Sequence, residues 1–306
     1  MISPSPSRRP LQVGTVLAGI AMAMAACGSS NTSSSGGGGS SQAATTATKV
    51  ASLASEVPSA IASKHTLVVA ADATYAPNEF IGPDGSTVQG MDADLAVALA
   101  QVLGLSVQVT NVKFDNILPG MGTKYDLGMS SFTDTKEREA SYDFVTYFIA
   151  GSSFIVKTSG GPTINTLDDL CGHHVAVERG TTQLDDATAQ KKKCTDAGKA
   201  DVDVQPFDDQ NGANLALHSG RAEVGMADSP VAAYAVKQSS GEFKLSGQPY
   251  GTAPYGIAIP KSNGMAKPIL DAVKELMSDG VYAAILAKWG IQAGSINNPQ
   301  INGAAS

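Results

Sequence analysis

The stretch GMDADLAVALAQVLGLSVQVTNV, residues 90–112, carries a helix and a strand in immediate succession, and its reading decides the class of fold. Leu95, Leu99, Val102 and Leu103 recur at helical spacing across Asp92–Leu103, and Gly104 stands where a left-handed cap ends a helix. Ser106–Val112 then alternates with the period of a strand. Outward from this unit the alternation continues. Thr66–Ala71 precedes it as a short β-prone run; Asp126–Met129, Phe154–Lys157, His174–Val177, Asp201–Gln205, Val224–Ala227 and Tyr255–Ile259 follow as strands. Helical patterns occupy Thr182–Lys192, Asn211–Ser219, Pro230–Lys237, Ala266–Ser278 and Val281–Lys288. Such alternation predicts an α/β protein with helices on both faces of mainly parallel sheets, and two sheets fit it as well as one large sheet.

A hydrophobic content of 42% with 16% charged residues fits a globular chain and excludes a disordered one. The formal charge is -7, and it becomes more negative if Arg8 and Arg9 are removed. With no basic stripe, nucleic acid is not expected as a partner.

Arg8 and Arg9, followed by the apolar run Leu11–Ala26, read as a processing signal over residues 1–26. The run is shorter than the about 20 apolar residues of a membrane span. It closes on Met24-Ala25-Ala26-Cys27, which resembles the lipobox of bacterial lipoproteins, with Met24 where Leu is usual. That resemblance implies cleavage before Cys27 and acylation of its thiol, where the alternative is a plain secretion signal with an incidental cysteine. The Ser/Gly/Thr/Ala-rich residues that follow cannot build a core, so 27–63 is expected to be a flexible tether. A short amphipathic helix within 49–63 would be interrupted by Pro58, and the ordered domain is expected from Lys64. If Cys27 carries lipid, Cys171 and Cys194 remain as a disulfide pair in an oxidising compartment, or else as two buried thiols. No CxxC pattern or calcium-loop spacing suggests a metal.

Six short stretches carry the functional reading. Asp72-Ala73-Thr74-Tyr75-Ala76-Pro77 follows the first strand; Gly90-Met91-Asp92-Ala93-Asp94-Leu95 opens the first long helix. Phe114-Asp115-Asn116-Ile117-Leu118-Pro119 comes next, then Ser130-Ser131-Phe132-Thr133-Asp134-Thr135-Lys136-Glu137-Arg138. Val175-Ala176-Val177-Glu178-Arg179-Gly180-Thr181-Thr182-Gln183 runs from a strand into a helix, and in Gly225-Met226-Ala227-Asp228-Ser229-Pro230 Asp228 ends a strand where open α/β sheets bind ligands. Singly each has an ordinary explanation: a packed tyrosine, a helix cap, a surface arginine. In this order, over about residues 64–295, they resemble the polar amino-acid-binding proteins of ATP-driven importers.

The resemblance implies a periplasmic-binding-protein-like fold of type II. Two lobes, 64–151 plus 250–295 and 152–249, would close around a cleft through hinge segments near Ala150–Ser152 and Gly247–Gly251, with 296–306 left as a C-terminal tail. It also implies the site. Arg138 would grip the ligand α-carboxylate, because a guanidinium offers parallel donors and stays charged. Thr182 and Thr181, at a helix start rich in free N–H groups, would complete that grip from the other lobe. Asp228 would take the α-ammonium; Tyr75 and Phe114 would sandwich the side chain; Asp72 and Asp92 would answer its polar end; Ser130, Ser131 and Thr133 would add hydroxyl or backbone contacts. Asp94 is read as structural. Asn78 stands where many relatives have Phe.

The implied protein is a monomer without cofactor, anchored by lipid on the outer face of the cytoplasmic membrane. It would deliver a free amino acid with a basic or amide side chain to permease subunits. Two rivals are a sensor lipoprotein, which sequence does not separate from a transport receptor, and a dehydratase or lyase on the same fold. Against an enzyme, His173 and His174 are adjacent on a strand and point to opposite faces, and Glu178 is the one acid near the Gly-Thr-Thr turn.

Overall fold

A computed structural model describes residues 46–305. The processing signal, Cys27 and the start of the tether lie outside the described residues. Eight strands form one hydrogen-bonded sheet: β1 (Thr66–Ala71), β2 (Ser106–Asn111), β3 (Leu127–Gly128), β4 (Tyr142–Lys157), β5 (His174–Glu178), β6 (Asp203–Phe207), β7 (Val224–Asp228) and β8 (Phe243–Pro260). Their order is β2-β1-β3-β8-β4-β7-β5-β6. Pairing is parallel within β2-β1-β3 and within β7-β5-β6, and antiparallel wherever β4 or β8 takes part.

The sheet is continuous only because β4 and β8 run through both halves of the molecule. The cores are separate. In the first lobe Leu67, Leu99, Leu127, Ile257, Ile269 and Ile285 pack together; in the second Phe154, Val175, Val177, Ala187, Val202 and Met226 do so. Between them the β4–β8 ladder loses regular register, from Ser246 to Tyr250 and again to Ala253, opposite Ala150 and Ser152. Gly247 adopts φ +69, and a Cβ there would stand 2.8 Å from the Ile164 carbonyl oxygen. A glycine is needed at that bend.

Helices form largely where apolar spacing places them, at Met91–Val102, Thr182–Asp196, Gln210–Ser219, Ser229–Gln238, Ala266–Ser278 and Val281–Trp289. Order begins ahead of Lys64, contrary to the tether expectation. One-turn helices at Ala51–Ala54 and Ser59–Ala62 flank Pro58, and Val50, Leu53, Val57 and Ile61 present an apolar stripe to the first core. The Val50 N–H bonds the Val102 carbonyl at 3.0 Å, and the Ala47 N–H bonds Gln101 Oε1 at 2.9 Å. Cys171 and Cys194 are joined, tying the segment before β5 to the helix after it. No helix among the described residues is long and apolar enough to cross a membrane.

Candidate functional site

The site lies where the C-terminal ends of the parallel strands meet the space between the lobes. A cavity there is lined by Asp72, Tyr75, Phe114, Ser130, Ser131 and Thr133 from the first lobe, with Arg138. From the second lobe come Glu178, Thr181, Thr182, Gln183 and Asp228. Arg138 and Asp228 therefore share one chamber.

Arg138 sits on a single helical turn, Lys136–Glu139, capped by Thr135, whose hydroxyl accepts the Arg138 N–H at 3.2 Å. Its Nη1 donates to the Thr133 carbonyl at 2.8 Å and its Nη2 crosses the cleft to the Gly180 carbonyl at 2.9 Å. Gly180 adopts φ +76, which turns β5 into the helix behind Thr181. The guanidinium also lies 5.5 Å from the Phe132 ring centre and 5.8 Å from that of Phe114. Burial lowers its pKa, against the charges of Asp185 and Asp228. Among the described residues it makes no ion pair, and those two carbonyls take two of its five N–H donors.

Thr181 caps the helix Thr182–Asp196, its hydroxyl accepting the Leu184 N–H at 3.2 Å. The Thr182 and Gln183 N–H groups have no backbone acceptor among the described residues. Free donors and the helix dipole at this end suit an anion beside Arg138.

Asp228, 7% exposed, ends β7. It accepts from Gln183 Nε2 at 2.6 Å and from the Tyr255 hydroxyl at 2.7 Å, while its own N–H donates to Tyr75 Oη at 2.9 Å across the cleft. Burial pushes its pKa up to about 6, against those hydrogen bonds and Arg138.

The cavity also has an acidic part of its wall. Asp72 accepts the Thr74 hydroxyl at 2.6 Å and the Phe114 N–H at 2.9 Å. Glu178, 2% exposed, faces it from the other lobe, and its Oε1 has no hydrogen-bond partner. Burial raises both pKa values, that of Glu178 well above the usual carboxylate range, with Asp72 adding to it. Two carboxyls share this part of the wall with no cation between them. The whole chamber thus offers one guanidinium and three carboxyl groups, and the described residues contain no cluster of metal-ligand type.

Residues 67–292 match the family described as bacterial extracellular solute-binding proteins, family 3. The chain belongs to that family. This solute-binding protein is 34% identical over 256 residues to the arginine-binding protein ArgT of Corynebacterium glutamicum, covering 83% of each chain. It is 30% identical to the L-cystine-binding protein TcyJ of Escherichia coli K12, over 75% of this chain and 84% of that one. An ancestral arginine-binding protein bound to arginine superposes with a TM-score of 0.67 at 37% identity, covering 74% of this chain and 98% of its own.

Within the solute-binding protein, ten of the residues singled out from sequence line the chamber and Asp92 does not. Asp92 is 0% exposed. From the first turn of its helix it accepts the Ser131 N–H at 2.7 Å and the Tyr147 hydroxyl at 2.6 Å, so it lies behind the wall and fixes Ser131 in its left-handed backbone, φ 51. Ser130 and Ser131 also turn their hydroxyls inward, to Glu79 and Asp92. Phe114 stacks on Phe132 with ring centres 4.5 Å apart, and Tyr75 packs among Ile155, Leu217 and Val231 of the second lobe. Asp94 lies on the outer face, accepting from Lys288 at 2.7 Å and from the Trp289 indole at 2.8 Å. His173 and His174 pair with Glu223 and Asp203, outside the cavity lining.

Sequence reasoning did not assign Glu178 and Gln183 to ligand. Glu178 carried a usable signal, since it ends β5 as Asp228 ends β7. Gln183 carried none. Its amide links Asp228 to the Ser152 hydroxyl in the hinge, at 2.6 and 2.8 Å.

Proposed function

We propose that the chain captures free L-arginine, or a basic amino acid very like it, outside the cytoplasmic membrane and hands it to the permease of an ABC importer. The observation that carries this reading is the charge inventory of the chamber: one guanidinium beside free helix N–H groups, one buried aspartate, and a second pair of acids, Asp72 and Glu178. A basic amino acid carries one carboxylate, one α-ammonium and one side-chain cation. Arg138 and Thr182 take the first, Asp228 the second, and Asp72 with Glu178 the third. An amide or aliphatic side chain would leave that acid pair buried without a counter-charge, which is costly. The arginine-binding relatives support the same choice.

Ligand contacts from both lobes favour the closed arrangement, because only there are both ends of the zwitterion satisfied. Acylation at Cys27 would hold the receptor at the membrane, and a Cys171–Cys194 disulfide suits that compartment. Bound arginine is released unchanged, with no turnover.

Melting the purified protein with each of the twenty L-amino acids tests the reading. Arginine at a hundred times its dissociation constant stabilises by about 2.7 kcal/mol, and it should raise the melting temperature more than glutamine, cystine or any acidic amino acid. A larger shift from a neutral or acidic amino acid would reject the assignment.

A further inference from the structure

Arg138 rides on one helical turn, too short to hold itself in shape. Its entry is fixed by the sheet: the Asp134 N–H bonds the Pro254 carbonyl at 2.9 Å and the Gly256 N–H bonds that of Phe132 at 2.8 Å. Its exit passes Ala140 and Ser141 into β4, which pairs with β8 from Tyr142 opposite Pro260. There the C-terminal segment, which lies beyond the family match ending at residue 292, comes back across the molecule.

The route of that segment is specified bond by bond. Along β4 the Thr146 N–H bonds the Gln300 carbonyl at 2.9 Å and the Asn302 N–H bonds that of Phe144 at 2.8 Å. The Phe144 N–H in turn bonds Asn302 Oδ1 at 2.9 Å. Asn302 takes φ 56, a left-handed turn that asparagine tolerates better than most residues. Past that turn the Gly303 N–H donates to Asp134 Oδ2 at 2.8 Å and the Ala304 N–H donates to Glu139 Oε1 at 3.0 Å. Those two acids bracket the turn that carries the arginine. Glu139 sits at the C-terminal end of a helix, the unfavourable end for a negative charge, so its partners matter: the Ala304 N–H and Lys136 Nζ at 2.9 Å.

We propose that residues 300–304 are a strap that positions Arg138 by holding both ends of the single helical turn on which it rides. The strap touches no ligand; it acts through the arginine, and it rests on the reading that Arg138 grips the ligand carboxylate. Burial and the nearby Glu139 push the Asp134 pKa up to about 7, against the Gly303 N–H and Lys136.

Amide hydrogen exchange and arginine titration on full-length protein, a chain ending at Asn298, and the variants Glu139→Ala and Glu139→Gln test this. Without ligand, exchange of the amides of residues 138–140 should speed up at least about tenfold in the truncated chain and in Glu139→Ala, while Glu139→Gln, which keeps the acceptor oxygen, stays near wild type. The dissociation constant for L-arginine should rise about tenfold on truncation, yet by less than about threefold when the same truncation is made in Arg138→Lys, because coupled changes do not add. Unchanged exchange, a loosened Glu139→Gln, or an equal loss of affinity in both backgrounds would overturn the strap. If the truncated chain fails to fold, the two Glu139 variants decide alone. If wild type binds no arginine, the functional reading fails while the exchange comparison still judges the strap.

Discussion

Replacing Glu178 by glutamine removes a charge and almost no volume from the acidic part of the chamber wall. In the ligand-free protein Glu178 is buried with Oε1 unpartnered and Asp72 opposite, and its pKa lies well above the usual carboxylate range. The pair therefore keeps a proton to higher pH than free carboxyls do. A guanidinium placed between the two carboxyls cannot give up its own proton, so it favours their ionised form, and arginine binding should release protons. The complex holds fewer protons than the free protein, so affinity rises with pH as the pair ionises. Hydrogen bonds to charged groups contribute about 1.5–3 kcal/mol and neutral ones about 0.5–1.5, so Glu178→Gln should cost about 1–2 kcal/mol. That is roughly a 5- to 30-fold weaker dissociation constant for arginine, with proton release largely lost and the preference over glutamine narrowed. Calorimetry in two buffers of different ionisation enthalpy reads affinity and proton count together. A change in affinity below twofold with proton release intact would refute the placing of the ligand side chain.

Two further outcomes follow from Arg138 and Asp228. Arg138→Ala should weaken arginine binding at least about a hundredfold, as expected for a lost charge-assisted pair, while the melting temperature without ligand changes little; a twofold loss by calorimetry would contradict its role. Burial pushes the Asp228 pKa up to about 6 in the free protein, so below that pH arginine affinity should fall by about a further tenfold per unit as the carboxylate that meets the ligand ammonium is protonated. Its folded pKa is raised above the unfolded value of about 3.9, so the stability it contributes is fully present below about pH 4 and is lost as pH rises through about 6. Asp228→Asn should therefore raise the ligand-free melting temperature at pH 7 and abolish binding; a lowered melting temperature at pH 7 would show that the Gln183 and Tyr255 hydrogen bonds outweigh the buried charge.

The parts of the fold written in local period were legible. Met91–Val102 and Ala266–Ser278 keep an apolar helical stripe, and β1 and β2 are short β-prone runs between turns. The long crossing strands were not: Gly151-Ser152-Ser153 in β4 and Gly247 to Gly251 in β8 look like breaks, because the residues that allow the hinge to bend also erase the strand signal. The hairpin Glu79–Ile81 with Val88–Gln89 and the helix Phe114–Gly120, which contains Pro119, were hidden by shortness and by proline. At the site, residues in recognisable order were found, and the sequence could not tell a carboxylate that reaches the chamber from one that braces its wall. Asp72 and Asp92 looked alike until the Ser131 and Tyr147 donors closed around Asp92. The strap at 300–304 had no local pattern; its meaning comes from Asp134 and Glu139, far away in sequence.

A crystal structure of the protein grown with L-arginine tests the central claim most directly. The account predicts one arginine in the chamber, its carboxylate on Arg138 and the Thr182 N–H, its ammonium on Asp228, and its guanidinium between Asp72 and Glu178. An arginine lying in the reverse sense, or bound anywhere that leaves Arg138 and Asp228 without ligand, would contradict it.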